Sequence, residues 1–419
     1  MEALAQALGH ADRREPLRAY VQGLLLPGER KSVEPMAAKV DPGHVRARHQ
    51  SMHHFVAKAP WDYRSMLGVA RDRVLDSLER HGPIGAWTLD DTGIPKKGKH
   101  SVGVTRQYCG VLGKQDNCQV AVSISLTHEL LSVPAAYRLY LPESWANDAA
   151  RREAAGIPES IAFLKKWEIA LEEIDRLLAE EVPTAPIVMD SGYGNVTELR
   201  EALVARGLTY MAGIQSSVAV WPPGKAPLAP RRTPSTGRPP TRLRRSASHQ
   251  PRSVLQLAQQ LPTRAWRTVR WRGGTRGVLR SRFARVRVRP SHRDHLRTTP
   301  HPEEWLLIEW PADESAPTHY WLSNIDPGAR LRDLVVLAKI RWRIERDYQE
   351  LKDEIGLDHY EGRGWLGFHH HAALCIAAYA FLVAERARLS PPAALAFLQA
   401  PRVPKGFRPR GSPDPSAAS

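Results

Sequence analysis

Ala86-Trp-Thr-Leu-Asp-Asp91 is a short, mainly apolar run that ends in two acids, and it predicts a buried strand with carboxylates at its polar end. Ala185-Pro-Ile-Val-Met-Asp190 predicts a second strand of this kind. Between them, residues 119–126 and 136–141 have strand patterns, and residues 160–181 have helical periodicity. Strands followed by a helix and a further strand predict an α/β core with helices packed on a sheet.

The remaining segments differ in composition, and they predict a five-part organisation. Residues 1–78 predict a helical N-terminal region, and residues 79–217 predict the first part of the core. Residues 218–325 predict a basic insertion. Its Pro- and Arg-rich first part, residues 218–262, is expected to be a loop or partly disordered, and the rest is expected to be rich in β-structure. Residues 326–396 predict the helical second part of the core, and residues 397–419 predict a disordered basic tail.

Positive charge is concentrated in the predicted insertion. The chain has 419 residues and a net charge of +16. Residues 225–297 alone contain 20 Lys and Arg residues and a single acid, Asp294. A local excess of this size indicates a polyanionic partner such as nucleic acid.

The cellular compartment is predicted from two features that the sequence lacks, a disulfide framework and an N-terminal signal peptide. Three cysteines cannot form a disulfide framework, and the N-terminus has no apolar signal-peptide core, so we expect a protein of the reducing cytoplasm. The most apolar stretch, residues 372–384, is shorter than the roughly 20 residues of a membrane span. It predicts a buried core helix and no membrane association.

Two aspartates at strand ends are candidate catalytic groups, because α/β sheets expose such groups at the ends of their strands. Asp91 and Asp90 point to opposite faces of a strand, and Asp91 is preferred because it stands next to the strand end. Asp190 is the second candidate. It could instead cap the following helix, but Asn195 and Glu198 predict a capping box for that helix.

The run Lys339-Ile-Arg-Trp-Arg-Ile-Glu-Arg-Asp-Tyr-Gln-Glu-Leu-Lys352 contributes the third carboxylate. On a helix, Arg341, Glu345 and Lys352 share one face, beside an apolar edge that contains Ile344 and Tyr348. The alternative is a solvated helix with i,i+4 ion pairs. Three carboxylates with few neutral ligands favour Mg²⁺, which activates water or a 3′-hydroxyl on a phosphodiester.

Three blocks in this order resemble the DDE transposases of bacterial insertion sequences, which have a ribonuclease-H-like core. They are Leu89-Asp-Asp-Thr-Gly93 with Pro95-Lys-Lys-Gly-Lys-His100, then Ile187-Val-Met-Asp-Ser-Gly-Tyr193, and then the 339–352 run. The last block resembles the pattern Tyr-x2-Arg-x3-Glu-x6-Lys, and only its Tyr position departs, where this chain has Ala338.

The resemblance implies cleavage at transposon ends followed by strand transfer from the freed 3′-hydroxyl. It implies that Asp91, Asp190 and Glu345 bind two Mg²⁺ ions, with Mn²⁺ as a substitute, and that Arg341 and Lys352 contact DNA phosphates. Its implied partners are terminal inverted repeats, target DNA and a second copy in a synaptic homodimer, at the nucleoid of the cytoplasm. It also implies that the helical region at residues 1–78 binds DNA. The loop residues Lys96, Lys97 and Lys99 line the DNA path or form a solvated loop.

Other functions and other roles remain open at this point. The chain could be a catalytically silent or recruited DNA-binding protein, or a nuclease of the same fold without strand transfer. Trp266, Trp271 and Trp321 could stack on an unpaired base, although core packing is the simpler expectation. Residues 369–371 are three consecutive histidines, which fan around a helix and cannot all reach one metal ion.

Overall fold

The computed structural model describes residues 1–78, 81–231, 240–274 and 277–389. In that part the chain forms two compact units: unit 1 contains residues 1–184 and 342–389, and unit 2 contains residues 185–341. The predicted tail at 397–419 lies outside the described residues.

Unit 1 begins with helices, as the periodicity of residues 1–78 predicts. They are α1 (Glu2–Ala7), α2 (Arg14–Leu25), α3 (Val33–Val40), α4 (Val45–Ala57) and α5 (Tyr63–Leu78). The start of α5 is set by Asp62, whose carboxylate accepts hydrogen bonds from the backbone N–H groups of Arg64 (3.1 Å) and Ser65 (3.0 Å). Such a cap satisfies N–H groups that have no partner within the helix. Met66, Leu67, Ala70 and Val74 on the inner face are buried.

The sheet of unit 1 is antiparallel. Its strands are β1 (Ala86–Pro95), β2 (Thr105–Cys109), β3 (Lys114–Thr127) and β4 (Ser132–Leu139). The long strand β3 pairs with β1 along one edge and with β2 and β4 along the other. In this register Asp90 is opposite Ser123 and Asp91 is opposite Val122. The predicted strands at 86–91 and 119–126 lie in the centre of this sheet. The predicted end of the first strand was wrong, because β1 continues to Pro95 and places Asp90 and Asp91 in the middle of the strand.

Further helices complete unit 1: α6 (Glu143–Ala146), α7 (Ala149–Ala155) and α8 (Lys166–Ala179) follow the sheet. The C-terminal part of the unit contributes two helices, which take the numbers α13 (Trp342–Asp353) and α14 (Trp365–Leu389) in chain order. Among the described residues, α14 is long and apolar enough to cross a membrane, but 83% of its most apolar window is buried inside the protein. It packs against α5, α4, α2 and β4, so the predicted core helix at 372–384 is confirmed.

Unit 2 contains a mixed sheet. Its elements are β5 (Ile187–Met189), α9 (Ser191–Gly194), α10 (Thr197–Ala205), β6 (Tyr210–Ile214), β7 (Ala219–Trp221), β8 (Arg252–Ser253), α11 (Val254–Gln259), β9 (Arg267–Gly274), β10 (Gly277–Pro290), β11 (Glu304–Trp310), β12 (His319–Ser323) and α12 (Leu331–Lys339). Strands β5 and β6 are parallel. The order then continues antiparallel as β6-β12-β11-β10-β7-β8, and β9 pairs with β10.

Helix α11 covers one face of the β-rich region. Val254, Leu257 and Ala258 of this helix form a core with apolar residues of β7, β10, β11 and β12. The segment from 218 to 262 was expected to be a loop, but its described part contains β7, β8 and α11. The short apolar run at 254–258 is the reason, because it supplies enough buried surface to hold this segment against the sheet.

The predicted fold class is confirmed: the chain is α/β, with a helical N-terminal region and a basic β-rich insertion. An antiparallel meander followed along the chain by a parallel strand pair is the strand sequence of a ribonuclease-H-like core. One local prediction was wrong. The 339–352 run is not a single helix, since α12 ends at Lys339 and α13 begins at Trp342. Each helix packs on the sheet of its own unit.

Candidate active site

The two aspartates of β1 point to opposite sides of the strand and have different surroundings. The Asp91 carboxylate is 2.5 Å from the ammonium group of Lys166, the first residue of α8. The Asp90 carboxylate accepts a hydrogen bond of 2.9 Å from the backbone N–H of Asp91. Asp91 is thus directed toward α8, and its partner Lys166 was not identified from the sequence.

The negative charge of Asp90 affects the pKa values of two residues of α13, Tyr348 and Lys352. Burial raises the pKa of the Tyr348 hydroxyl, and the negative charge of Asp90 raises this pKa further. Burial lowers the pKa of Lys352, while Asp358 and other acids, including Asp90, oppose this decrease. Asp90 is directly paired with Ser123 of β3, whose side chain lies beside the Tyr348 hydroxyl, and α13 packs on β3. Because directly paired residues share a face, Asp90 lies on the side of the sheet that α13 covers.

Helix α13 is anchored by its apolar edge, as the sequence predicts. Ile344, Tyr348 and Leu351 are buried, and Glu345 in the first turn is exposed. Seven residues after Glu345, the ammonium group of Lys352 donates a hydrogen bond of 3.1 Å to the carbonyl of Gly93 in β1. Because residues seven apart share a helix face, the face that carries Glu345 is turned toward β1, the strand of Asp90 and Asp91.

Asp347 anchors α13 from its other side. The hydroxyl of Tyr379 in α14 donates a hydrogen bond of 2.8 Å to the Asp347 carboxylate. Burial raises the pKa of Asp347 to about 7, against the opposing effect of this hydrogen bond and of Arg343. Asp347 is therefore a buried acid of the core, and its bond to Tyr379 fixes the rotation of α13.

Asp190, in unit 2, is the N-cap of α9. Its Oδ1 accepts hydrogen bonds from the backbone N–H groups of Gly192 (2.9 Å) and Tyr193 (3.3 Å). The prediction that Asn195, and not Asp190, caps the helix that follows was wrong. Asn195 is not a cap, because its side chain accepts a hydrogen bond from the N–H of Gln215, and Val196 precedes α10 without a side-chain cap.

The Asp190 turn packs closely on the backbone of β6. A Cβ at Gly194 would lie 1.9 Å from the carbonyl oxygen of Gly213. Only glycine fits at such a distance, so this contact fixes the position of the short helix that follows Asp190.

The predicted DNA-contacting residues differ in their accessibility. Lys97 and Lys99 are exposed. Lys96 is half-buried, and its ammonium group donates to the carbonyls of Tyr360 (2.7 Å) and Asp358 (3.4 Å), which ties the loop after β1 to another loop of unit 1. Arg341 lies in the turn between α12 and α13, not on the helix of Glu345 and Lys352.

The proposed ligands suit a divalent metal by their chemistry, since carboxylate oxygens are the donors that Mg²⁺ prefers. Asp91 and Glu345 belong to unit 1 and Asp190 belongs to unit 2. Among the described residues, no group of three or more His, Cys, Asp or Glu side chains is placed to hold a metal ion. The three consecutive histidines are buried in α14 and contact backbone carbonyls.

The tryptophans of the insertion pack against other side chains of unit 2. The Trp271 ring is 5.6 Å from Phe283, and Trp266 is 5.2 Å from Trp310. Trp321 is buried and stacks on His319. The ammonium group of Lys339 lies 5.2 Å from the Trp271 ring and 5.4 Å from the Trp321 ring, so these rings help to fix the end of α12.

Comparison with known proteins gives two matches. The family model described as DDE superfamily endonuclease matches residues 3–278, a range that includes Asp90, Asp91 and Asp190 but ends before Glu345. A relative from Microchaete diplosiphon, named as the probable transposase for insertion sequence element IS701, is 30% identical over 171 residues. The aligned part is 40% of this chain and 41% of the relative, so the similarity spans less than half of either protein.

Proposed function

Because the chain belongs to the DDE superfamily of endonucleases, we propose that it is the transposase of a bacterial insertion sequence. It cleaves DNA at the terminal inverted repeats of the element and joins the freed 3′-hydroxyl to target DNA. A homodimer holds the two ends in the synaptic complex, in the cytoplasm at the nucleoid. The partial similarity to an insertion-sequence transposase supports this choice within the superfamily.

The observation that carries the proposal is the position of one face of α13. Glu345 and Lys352 share this face, and the hydrogen bond from Lys352 to Gly93 holds it at the end of β1. A carboxylate and an ammonium group on a rigid helix, beside a strand that carries two aspartates, suit a phosphodiester whose reacting oxygens need both a metal and a cation.

The proposed ligands are Glu345, Asp190 and one aspartate of β1. Two bound Mg²⁺ ions, or Mn²⁺ in their place, supply Lewis acidity to the attacking and leaving oxygens of the phosphodiester. Arg341 binds a phosphate through its planar guanidinium group. Lys352 offers a point charge, while its contact with β1 also positions α13. The exposed Lys97 and Lys99 contact the DNA backbone.

The choice between Asp91 and Asp90 as the β1 ligand depends on which side of the sheet the carboxylate occupies. Asp91, the residue preferred from the sequence, pairs with Lys166 of α8. The negative charge of Asp90 raises the pKa of Tyr348 and opposes the decrease in the pKa of Lys352. Both residues belong to α13, the helix that carries Glu345. Because Asp90 and α13 lie on the same side of the sheet, Asp90 is favoured over Asp91 as the residue that binds metal together with Glu345. Asp91 then orients α8 through its contact with Lys166.

The test is cleavage and joining of a duplex that carries the ends of the element, with Mg²⁺ and then with Mn²⁺. We expect Glu345→Gln and Asp90→Asn to abolish cleavage and to leave DNA binding intact, while Asp91→Asn keeps measurable cleavage. Asp353→Asn, at the exposed end of α13, is the control and retains full activity.

The other possible results of this experiment would indicate a different metal ligand or a different function. Loss of cleavage in Asp91→Asn with normal cutting by Asp90→Asn would return the role to Asp91. Cleavage without joining by the unmodified protein would identify a nuclease, and binding without cleavage would identify a silent DNA-binding protein. Normal cutting by Glu345→Gln would contradict the proposed site itself.

A further inference from the structure

Three arginines of the β9–β10 pair lie on one face of the sheet. Arg270 of β9 is directly opposite Arg280 of β10, and directly paired residues share a face. Arg282, two residues further along β10, is on the same face because side chains alternate along a strand. Arg270 and Arg280 are exposed and Arg282 is half-buried. We call Arg270, Arg280 and Arg282 the arginine seat.

Tryptophans support one end of this seat. Arg282 is opposite Trp310 of β11, and its guanidinium carbon lies 4.5 Å from the centre of the Trp310 ring. Trp266 meets the Trp310 ring edge to face at 5.2 Å. The Trp310 indole N–H donates a hydrogen bond of 2.9 Å to the carbonyl of Glu314. The ring under Arg282 is therefore held in place, and it restricts the arginine before any ligand binds.

The seat arginines and other arginines of unit 2 differ in whether they form ion pairs with carboxylates. Arg289, Arg293 and Arg297 form ion pairs with glutamates. For the seat arginines, no carboxylate lies within ion-pair distance in the described part of the chain. Like charges directly opposite each other weaken a strand pair. The Arg270–Arg280 pair thus lowers the stability of the free protein, and an anion placed between them would remove the repulsion.

We propose that the arginine seat binds consecutive phosphates along the backbone of duplex DNA. This inference rests on the proposed function, since it takes DNA as the partner. The seat continues the sheet face whose other end is covered by α11 and packed as core, so its arginines stand at the open end of that face. Contacts to phosphates rather than to base edges make the binding independent of sequence.

The test uses the salt dependence of DNA binding by the full-length protein. Neutralising one phosphate contributes about 0.9 to the slope of log K against log salt. The variant Arg270→Ala/Arg280→Ala should therefore reduce the magnitude of the slope by about 1.8, equally for end DNA and for random DNA. The matched control is Arg264→Ala/Arg267→Ala. Arg267 is exposed on β9 but belongs to the opposite face, across from Phe283, and Arg264 is exposed in the turn that precedes β9. The control keeps most of the slope.

A charge reversal separates binding from folding. In Arg270→Glu, the repulsive pair with Arg280 becomes an attractive one, so the melting temperature should be unchanged or higher while DNA binding weakens more than in Arg270→Ala. An unchanged salt slope in both seat variants, an equal change in the control, or a loss confined to one DNA sequence would overturn the proposal. Cleavage of end DNA by the unmodified protein is measured in parallel. If that protein cuts DNA but the seat variants bind normally, the seat proposal fails and the proposed function stands.

Discussion

Lys352 of α13 donates a hydrogen bond of 3.1 Å from its ammonium group to the backbone carbonyl of Gly93 in β1. The two residues are far apart in sequence and join the helix of Glu345 to the strand of Asp90. A residue predicted to contact DNA therefore also has a structural role, and its substitution affects the fold as well as the reaction.

Substitution of Lys352 by Met should lower stability, because the hydrogen bond to Gly93 is lost while the apolar part of the side chain is kept. Hydrogen bonds from charged groups contribute about 1.5–3 kcal/mol, and the half-buried position places the expected loss near the lower value. Chemical denaturation measures it. Arg346→Met, which breaks an exposed pair with Glu350 on the same helix, should cost at most about 0.5 kcal/mol. Equal losses in both variants would contradict an anchoring role.

Asp190 combines a capping role with the proposed role as a ligand, and two substitutions separate them. Asp190→Asn should keep the melting temperature, since Asn caps helices as well as Asp does, but it should abolish cleavage because the charge is lost. Asp190→Ala should also lose about 0.5–2 kcal/mol of stability. Thermal unfolding and the cleavage assay are run on the same preparations. Normal cleavage by Asp190→Asn would restrict this residue to capping.

Ala338 stands where the family pattern has Tyr, and it is buried in α12 with 6% of its surface exposed. Ala338→Tyr should therefore lower the melting temperature, because a ring forced into a filled interior costs at least about 1–3 kcal/mol. Arg332→Tyr, at an exposed position of the same helix, is the control. An unchanged melting temperature in Ala338→Tyr would show that the family tyrosine fits in this position.

Acid should destabilise the protein through the histidines of α14. The Leu139 N–H donates to Nε2 of His369, and Nδ1 contacts the Trp365 carbonyl, an arrangement that suits a neutral ring. Burial lowers the pKa of His369 to about 3. Because an unfolded histidine has a pKa near 6.5, the unfolded state binds more protons between these values. The contribution to stability is complete above about 6.5 and is lost as the pH falls toward 3.

The substitution His369→Gln should flatten this pH dependence. Melting temperatures measured from pH 7.5 down to pH 4 provide the comparison, with the exposed His100→Gln as the control. A slope that is the same in all three proteins would show that His369 contributes nothing to acid sensitivity.

The strands that carry the aspartates could be predicted from sequence because each contains a short apolar run followed by an acid. The end of β1 could not, since the strand continues past Asp91 to Pro95. The apolar edge of α13 was predictable for a similar reason, since Ile344, Tyr348 and Leu351 follow helical spacing. These features depend on neighbours in the chain, and local periodicity reports them directly.

Features set by distant contacts could not be predicted in this way. The pairing of Asp91 with Lys166 joins β1 to a later helix, and no local rule indicates it. The cap formed by Asp190 was missed because α9 has only four residues, too few to show a periodic pattern. The break before Trp342 was missed because the helical pattern is continuous there. It separates α12, which packs on β6, β9 and β10, from α13, which packs on β3 and β4, and these contacts are distant in sequence.

The long apolar helix α14 imposes an order on folding during synthesis. It packs against α2, α4, α5 and β4, which emerge from the ribosome long before it does. Unit 2 is a continuous segment, residues 185–341, whereas unit 1 needs residues from both sides of that segment. Domains fold as their chain becomes available, so the basic insertion acquires its structure while unit 1 still lacks its central helix. The carboxylate of Glu345 thus takes its place only in the last stage of synthesis, and a chain that ends before α13 lacks this proposed ligand altogether.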